Sequence, residues 1–359
     1  MRKHIFNAGP CKLPDSTLEN TAKAVMELEN CGQSIMEVSH RSKDFQKVFD
    51  EAVSLFNELL DIPEGYSVLF LGGGASTQFA TIAFNFLKNK AAYVNTGTWS
   101  TAAIKEAKLF GEALVIASSE DKGFTFYPKN FEVPADVDFL HLTSNNTIRG
   151  TEFFEDKAYD VPVICDMSSD IMSRPVDVAK YDMIYGGCQK NLGAAGVTFV
   201  IIKNEFAEKN MVADRIIPTM WKYTTHINKG SMNNTPPCIN IFTVKETLKW
   251  VKANGGCAGM EKLATERADM LYAEIIRNSM FRAVVEEGSR SKMNIPFVMA
   301  EGKEDLMQEF LDFSISKNIV GIKGHRSVGG FRASTYNACT IEEVKALVAA
   351  MAEFETMKA

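Results

Sequence analysis

Four apolar runs in this sequence end in short polar stretches whose residue types could do chemistry together. The stretch GGCQKN places Lys190 among glycines after the run YDMIYG. The stretch CDMSSD places Asp166 at the end of VPVIC, GGGAST places Ser76 after YSVLFL, and NTGTWS places Trp99 after AAYVN. In an open α/β sheet, ligands bind beyond the carboxyl ends of the strands. The four stretches therefore predict one shared site.

Each of these residues also has an ordinary structural explanation. Lys190 could be a solvated lysine in a turn, Asp166 a helix cap or turn residue, and Trp99 a core residue. Ser76 or Thr77 could simply cap a helix, because small hydroxyl residues are common at that position. GGGAST also lacks the spacing of a P-loop or a dinucleotide-binding fingerprint. No single stretch therefore decides the function.

Taken together, the same residues indicate a site for pyridoxal phosphate. A lysine in a partly desolvated pocket has a lowered pKa and can form a Schiff base with an aldehyde. A carboxylate at the rim of a buried sheet needs a partner, and a protonated ring nitrogen can be that partner. Backbone N–H groups at the start of a helix hold phosphate, and an indole can stack on a pyridine ring. These are the groups that Lys190, Asp166, the GGGAST turn and Trp99 would supply.

The elements that position these residues follow an α/β pattern. Residues 15–30, where DSTLE would cap the start, and residues 43–60 have the periodicity of amphipathic helices. Short apolar runs then alternate with helical segments, which is typical of strands buried on both faces of a mainly parallel, doubly wound sheet. The predicted strands are 66–71, 91–95, 112–117, 137–142, 161–166, 181–186 and 196–202.

The C-terminal part has a different pattern. Long helical stretches follow residue 240, and after them come the strand KMNIPFVM, the helix EDLMQEFLDFSISKN, the strand GGFRAST and the helix TIEEVKALVAAMAEF. This order predicts a smaller α+β unit. We expect an N-terminal segment at 1–15, a large α/β domain at 16–255 and a small C-terminal α+β domain at 256–359.

Composition and charge argue against several function classes. The 359 residues are 46% hydrophobic and carry a formal net charge of −6, so the chain lacks the basic surface that nucleic acid binding requires. The 7 cysteines are scattered and never spaced C-x-x-C, which argues against a disulfide framework or a zinc site. No apolar run has the length of a membrane span or the setting of a signal peptide. We expect a cytoplasmic protein with small-molecule substrates and no metal, nucleic acid or membrane partner.

A series of motifs also gives the sequence a family resemblance. In chain order they are FNAGPCKLP, EVSHRSKDF, GGGASTQF, NTGTWS, SNNTIRGTEF, CDMSSD, GGCQKNLGAAG, NNTPP and GHRSVGGFRASTYNA. This order resembles that of the phosphoserine aminotransferases, which are class V aminotransferases and fold-type I pyridoxal phosphate enzymes. The resemblance extends from about residue 5 to the last helix. The lysine motif and the last motif together make it highly specific.

The resemblance implies a role for each matching residue at the cofactor. Lys190 would form the Schiff base and then act as the general base and acid, and Asp166 would bind the pyridine nitrogen. Trp99 would stack on the ring, and Thr147 would bind near the phenolic oxygen. The remaining implied residues bind the cofactor phosphate: Ala75, Ser76 and Gln189 from the same chain, and Asn234 and Thr235 from the neighbouring subunit of a homodimer.

The resemblance also implies the substrates, which are glutamate and 2-oxoglutarate on one side and phosphoserine and 3-phosphohydroxypyruvate on the other. This reaction belongs to serine biosynthesis, and a related phosphohydroxythreonine of pyridoxine biosynthesis is a further candidate. Arg332 would bind the α-carboxylate, while His40, Arg41, His325 and Arg326 would bind the distal phosphate or carboxylate. Many family members have an arginine directly after the triple glycine, where this chain has Ala75. Phosphate binding would then depend more on the other cations.

Two kinds of alternative function remain open at this point. One is another fold-type I enzyme, such as an alanine–glyoxylate-like aminotransferase or a cysteine desulfurase. A desulfurase needs a mobile cysteine near the lysine, and none of the cysteines lies in an obviously suitable loop, Cys188 being too near Lys190. The other alternative is a phosphate-binding module without catalysis, with GGGAST as its site. A visible spectrum with pyridoxal phosphate separates an enzyme from such a module.

Overall fold

The computed structural model describes residues 2–358, whose strands form a seven-stranded sheet, a three-stranded sheet and a two-stranded pair. All three are made of short strands. In chain order the strands are β1 (His4–Ile5), β2 (Tyr66–Gly72), β3 (Lys90–Asn95), β4 (Glu112–Ser118), β5 (Leu140–Thr143), β6 (Val163–Asp166), β7 (Met183–Gly187), β8 (Val197–Lys203), β9 (Phe281–Ala283), β10 (Asn294–Met299), β11 (Ile319–Val320) and β12 (Phe331–Ser334).

The seven-stranded sheet is mainly parallel, as the sequence predicts. Its strand order is β2-β8-β7-β6-β5-β3-β4. Strand β8 runs antiparallel to both of its neighbours, while the pairs from β7 to β4 are all parallel. The carboxyl ends of β2, β3, β5, β6 and β7 therefore meet at one edge, and these are the ends that carry the candidate residues.

Helices cover both faces of this sheet. In β2, Val68 and Phe70 point into a core shared with the helices Lys43–Leu60 and Cys238–Ala253. Leu69 and Leu71 point into a second core, shared with the helices Ala75–Phe86 and Thr98–Ala107. This doubly wound arrangement confirms the predicted fold class. The helices are α1 (Asp15–Met26), α2 (Lys43–Leu60), α3 (Ala75–Phe86), α4 (Thr98–Ala107), α5 (Asn204–Lys209), α6 (Tyr223–Asn228), α7 (Cys238–Ala253), α8 (Gly256–Arg277), α9 (Met307–Ser316) and α10 (Ile341–Lys358).

The C-terminal part has an apolar core of its own. The antiparallel sheet β12-β10-β9 packs with α8, α9 and α10 around this core. The N-terminal strand β1 pairs in parallel with β11, and Phe6 is fully buried in the same core. The first residues of the chain are therefore joined to its last third, while the segment that follows them reaches the edge of the large sheet.

The ends of some predicted elements differ from the structure. Helix α1 begins directly after Pro14 and has no side-chain cap, so the capping predicted from DSTLE is wrong. The helix also ends before residue 30, because Glu27 is extended and Glu29 and Asn30 adopt left-handed conformations. In contrast, α2 has the predicted bounds, and the side chain of Ser42 accepts a hydrogen bond from the Phe45 N–H at its start.

Within residues 2–358, no helix is both long and apolar enough to cross a membrane. In the same range, no group of three or more His, Cys, Asp or Glu side chains could hold a metal ion. The cysteines are free thiols, and Cys165, Cys188, Cys257 and Cys339 are buried.

Candidate active site

A cavity of about 300 Å³ opens at the edge where the carboxyl ends of the strands meet. It brings together most of the residues singled out from the sequence, although they are spread over some 260 positions of the chain, from Ala75 to Arg332. The predicted site residues that line the cavity are Ala75, Ser76, Trp99, Thr147, Asp166, Gln189, Lys190, His325 and Arg332. The structure therefore supports the sequence-based expectation of one shared site.

Lys190 lies in the turn between β7 and β8 and is buried. Its Nζ donates a 2.6 Å hydrogen bond to Oγ1 of Thr147. Burial lowers the pKa of the Lys190 amine to about 8, although the charges of Asp166 and Asp170 act in the opposite direction. With this pKa, about a tenth of the amine is neutral at pH 7, far more than for a solvated lysine. The amine is therefore available as a nucleophile and as a base.

The lysine turn contacts the N-terminal segment. At Gly187, which has no side chain, the end of the Gln189 side chain folds back over the backbone. The backbone N–H of Cys11 donates to the carbonyl of Gln189 at 3.2 Å, and the thiol of Cys11 donates to the carbonyl of Lys190. These contacts join the backbone of the lysine turn to the N-terminal segment.

Asp166 is the last residue of β6 and faces the cavity from a buried position. Its Oδ1 accepts hydrogen bonds from the backbone N–H and the hydroxyl of Ser168, at 2.9 and 2.5 Å. Burial raises the pKa of Asp166, while the charge of Lys190 and the bonds from Ser168 lower it. Both Ser168 bonds end on Oδ1, so Oδ2 can bind a cationic group in the cavity.

The start of α3 offers backbone donors to an anion. Gly74 is the N-cap and provides no side-chain hydrogen bond, and Ala75 and Ser76 form the first turn. Free N–H groups at a helix start, together with the helix dipole, bind phosphate. The alternative that Ser76 or Thr77 is the N-cap residue is wrong, because both already lie inside the helix.

Trp99 lies in the first turn of α4 and is only half-buried. It lines the cavity on the side of β3. Its indole Nε1 is buried, and in residues 2–358 it has no hydrogen-bond partner. A buried indole N–H without a partner is uncommon, since such groups normally find an acceptor. The ring packs against the apolar core and also lines the cavity, where it can contact a ligand.

Arg332 and His325 line the cavity from the C-terminal part of the chain. Nη1 of Arg332 donates to the backbone carbonyl of Thr147 at 3.1 Å, while its buried Nε has no partner among the described residues. Burial lowers the pKa of the Arg332 guanidinium. Nδ1 of His325 lies 2.8 Å from the hydroxyl of Ser327. The guanidinium therefore keeps a free donor for a planar anion such as a carboxylate.

Five predicted residues do not line this cavity. Arg41 and Arg326 are exposed, and His40 is half-buried with an Nε2 that has no partner in the described part of the chain. Asn234 and Thr235 are exposed, and Asn234 lines a neighbouring cavity of about 220 Å³ beside Gly72 and Thr77. A single chain does not bring these side chains to Lys190, and their roles stay predictions.

Sequence reasoning gave no role to several residues of the cavity. Ser168 holds Asp166 in place, and the serine pair of CDMSSD was its only signal. Gly9, in the motif FNAGPCKLP, lines the cavity with φ of +137°, and a Cβ there would lie 3.3 Å from Cγ of Lys190. The position of this N-terminal segment depends on pairing with the far end of the chain, so local patterns do not reveal it.

The groups in the cavity fit pyridoxal phosphate. Asp166 offers a buried carboxylate oxygen for a protonated ring nitrogen, and Trp99 offers an indole with a buried, unpaired N–H. Lys190 offers an amine with a lowered pKa, and the start of α3 offers free backbone N–H groups for phosphate. These are the donors that an aromatic aldehyde with a phosphate group requires.

Comparisons with known proteins agree with this fit. The family profile described as aminotransferase class-V matches residues 4–347. The chain therefore belongs to the aminotransferase class-V family. It is 60% identical, over 99% of its length and all of the relative's, to the phosphoserine aminotransferase of Phocaeicola vulgatus, and 57% identical, with the same coverage, to that of Bacteroides fragilis. These matches confirm the resemblance to phosphoserine aminotransferases.

Solved structures extend the same result to the fold. A phosphoserine aminotransferase from Bacillus circulans subsp. alkalophilus matches with a TM-score of 0.95 and 43% identity, covering 100% of this chain and 99% of that one. A pyridoxal phosphate-bound phosphoserine aminotransferase from Trichomonas vaginalis matches with a TM-score of 0.92 and 36% identity, covering 98% and 100%. The predicted fold-type I architecture is confirmed.

Proposed function

We propose that this chain is a phosphoserine aminotransferase that uses pyridoxal phosphate. It would transfer an amino group reversibly between glutamate and 3-phosphohydroxypyruvate, giving 2-oxoglutarate and O-phosphoserine. The observation that carries the proposal is the buried amine of Lys190, which lies in one cavity with the buried carboxylate of Asp166 in a class V aminotransferase. Serine biosynthesis is the expected role, and 4-phosphohydroxythreonine of pyridoxine biosynthesis is a second expected product.

Different residues of the cavity would bind different parts of the cofactor. When bound, pyridoxal phosphate supplies an aldehyde that takes up the amino group and a ring that withdraws electrons. Lys190 would hold the aldehyde end, Asp166 would keep the ring nitrogen protonated, and Trp99 would cover one face of the ring. Thr147 would bind near the phenolic oxygen. The phosphate would lie at the start of α3, held by Ala75, Ser76 and Gln189.

Lys190 would also carry the proton that the reaction moves. Its amine must be neutral to take a proton from the substrate α-carbon, and its lowered pKa of about 8 favours that state. The hydroxyl of Thr147 accepts a hydrogen bond from the amine and so restricts its direction. The negative charge of Asp166 would hold a positive charge on the bound ring. Lys190 would thus be the base, Thr147 would orient its amine, and Asp166 would supply the counter-charge for the ring.

Anion-binding groups at the other side of the cavity would select the substrates. Arg332 has a free Nε donor and would bind the α-carboxylate that all four substrates share. His40, Arg41, His325 and Arg326 would bind the distal phosphate or carboxylate. His325 already lines the cavity, whereas the exposed arginines would need to move or to come from a neighbouring chain.

We also propose a homodimer with shared active sites. Asn234 and Thr235 are exposed in the single chain, and the segment that precedes them carries exposed apolar residues. Ile216 is 94% exposed, and Met220 and Trp221 are about two-fifths exposed. Exposed apolar residues that cluster in one segment are typical of a protein–protein interface. A second chain docked there would bring its own Asn234 and Thr235 towards the phosphate.

The domain division and the location of the enzyme are further parts of the proposal. The separate apolar cores support an N-terminal segment at 1–15, a large domain at 16–255 and a small domain at 256–359.

We place the enzyme in the cytoplasm, since its cysteines are free in the described residues and a reducing compartment keeps thiols free. Fractionation of the source cells, with antibody detection, tests this placement; enrichment in a secreted or membrane fraction would contradict it.

The decisive experiment combines a spectrum with a substrate comparison. Purified protein given pyridoxal phosphate should show a visible absorbance band, and it should aminate 3-phosphohydroxypyruvate with glutamate at least about tenfold more efficiently than unphosphorylated hydroxypyruvate. Colourless protein would favour a phosphate-binding module. Equal kcat/KM values for the two acceptors would contradict the selection for a phosphate.

Among other fold-type I activities, a cysteine desulfurase is the least compatible with the thiols of this chain. Cys11 is in direct contact with the lysine turn, but burial raises its pKa to about 12. Cys188 is buried beside the lysine, and burial raises its pKa as well. A thiol needs a lowered pKa to react as a thiolate. An alanine–glyoxylate aminotransferase from Nostoc sp. shares the fold at 15% identity, so its chemistry carries no weight for this chain.

A further inference from the structure

Arg149 lies immediately after two residues that line the active-site cavity, Thr147 and Ile148. The turn that carries it is closed by a 2.7 Å hydrogen bond from the N–H of Gly150 to the carbonyl of Asn146. Gly150 has φ of +75°, and a Cβ there would lie 2.2 Å from Cδ of Pro296. The turn is therefore held against β10, and the position of Arg149 at the edge of the cavity is fixed.

The side chain of Arg149 is packed but incompletely hydrogen-bonded. Its guanidinium carbon lies 5.2 Å from the centre of the Phe124 ring, and Nη1 donates to the carbonyl of Gly123 at 3.3 Å. Its Nε is buried and has no partner within residues 2–358, and no carboxylate in that range forms a salt bridge with it. Arginine can bind anions with several donors at once, and here part of that capacity is unused.

The stem of the same side chain lies against the turn that leads to Trp99. A Cβ at Gly97, the residue before α4, would lie 3.2 Å from Cγ of Arg149. Trp99 and Ile148 line the cavity, and Arg149, which does not itself line it, lies next to both of them in the chain fold. The glycine at position 97 leaves the room that this packing requires.

Several cations lie near His325 on this side of the cavity. Burial is the main cause of the lowered pKa of His325. The positive charges of Arg332, Arg326 and Arg149 lower this pKa further, so these groups lie close enough to repel another positive charge. The first turn of α3, on the facing side, has only the uncharged Ala75 and Ser76. A cluster of like charges is unfavourable unless an anion of opposite sign binds to it.

We propose that Arg149 is an additional phosphate-binding residue of the substrate site, where its unpaired guanidinium donors contact the distal phosphate of phosphorylated substrates. This inference rests on the proposed function and extends it by naming a residue that selects the substrate. The packing on Phe124 and Gly97 holds the guanidinium in place, so little conformational freedom is lost when the phosphate binds.

The test compares Arg149→Gln with the wild-type holoenzyme on phosphorylated and unphosphorylated acceptors. The kcat/KM for 3-phosphohydroxypyruvate should fall about tenfold, through KM, because one charge-assisted contact is lost. The kcat/KM for hydroxypyruvate and the kcat for both acceptors should stay within about twofold. Inhibition by inorganic phosphate should weaken by a similar factor. Arg149→Lys keeps the charge and should recover part of the loss.

Arg290→Gln is the matched control. Arg290 also lies over an aromatic ring, 5.1 Å from that of Tyr272, and donates to a backbone carbonyl, but unlike Arg149 it is not among the charges that lower the pKa of His325. Its substitution should change neither acceptor. Unchanged kcat/KM for 3-phosphohydroxypyruvate in Arg149→Gln, or an equal fall for both acceptors, would overturn the role of Arg149. A wild-type enzyme that does not aminate 3-phosphohydroxypyruvate would instead contradict the proposed function itself.

If Arg149→Gln does not fold, as judged by its thermal unfolding, Arg149→Lys decides the question. Lysine retains the charge but lacks the planar fork, so the KM for 3-phosphohydroxypyruvate should rise about threefold with no change for hydroxypyruvate. A lysine variant that is indistinguishable from the wild type on both acceptors overturns the proposal.

Discussion

The residues proposed to hold the cofactor and those proposed to bind the distal substrate phosphate occupy very different surroundings. Lys190, Asp166 and Thr147 are buried at strand ends of the large sheet and are hydrogen-bonded to other residues. Arg41 and Arg326 lie in loops and are exposed. Lys190, Asp166 and Thr147 thus lie together within one chain, whereas the exposed arginines do not reach the cavity there.

This difference predicts separate roles in catalysis and in substrate affinity for the two groups of residues. Buried polar groups must be satisfied by the fold, so their geometry is fixed before any ligand arrives. Exposed cations are solvated and depend on a ligand or on a second chain for their final position. Substitutions in the first group should therefore affect catalysis itself, and substitutions in the second group should affect affinity.

The largest expected effect is that of Lys190→Ala. Loss of the amine removes both the cofactor attachment and the base, so kcat for transamination should fall by at least about 10³-fold, and the visible absorbance of the bound cofactor should disappear. A coupled assay with glutamate and 3-phosphohydroxypyruvate measures the rate. Lys180→Ala, which changes a lysine just before β7, should keep both properties. A coloured and fully active Lys190→Ala protein would contradict the assignment.

Arg332→Ala is expected to have an intermediate effect, because this residue belongs partly to each region. It lines the cavity, yet its role is to bind substrate. The KM should rise roughly 10- to 100-fold for both amino donors and keto acids, since both carry the α-carboxylate. Arg282→Ala, an exposed arginine of β9 in the same three-stranded sheet, is the control. A rise for only one class of substrate would show that Arg332 has another role.

The smallest effect is expected for Asn234→Ala, which tests whether a second chain completes the site. Its affinity for pyridoxal phosphate should fall about tenfold, through one lost hydrogen bond to a charged group, with little change in kcat at saturating cofactor. Fluorescence titration of the apoprotein measures the affinity, and Asn254→Ala, another exposed asparagine, is the control. Light scattering should give twice the mass of one chain. A monomeric enzyme with full activity would rule out the shared site.

Local sequence patterns predicted those elements whose surroundings are uniform along their length. Helix α2 has the predicted bounds because an unbroken apolar stripe faces the sheet. Strand β5 starts later than predicted, at Leu140, and just before it the carboxylate of Asp138 accepts hydrogen bonds from the backbone N–H groups of residues 88–90. Each of these bonds joins positions about 50 apart in the sequence, so the hydrophobic periodicity of a short segment cannot predict it.

The sequence by itself determined the fold class and the family, and it predicted Lys190 and Asp166 as the central pair of the site. Buried strands and glycine-rich turns are local features, and the motifs occur in the order of the family. Only the tertiary structure decided that Cys11 and Gly9 enclose the lysine turn, that Ser168 holds Asp166, and that the charge of Arg149 acts on His325. These relations depend on contacts between distant parts of the chain, such as the 179 positions between Cys11 and Lys190, which form only when the two cores pack.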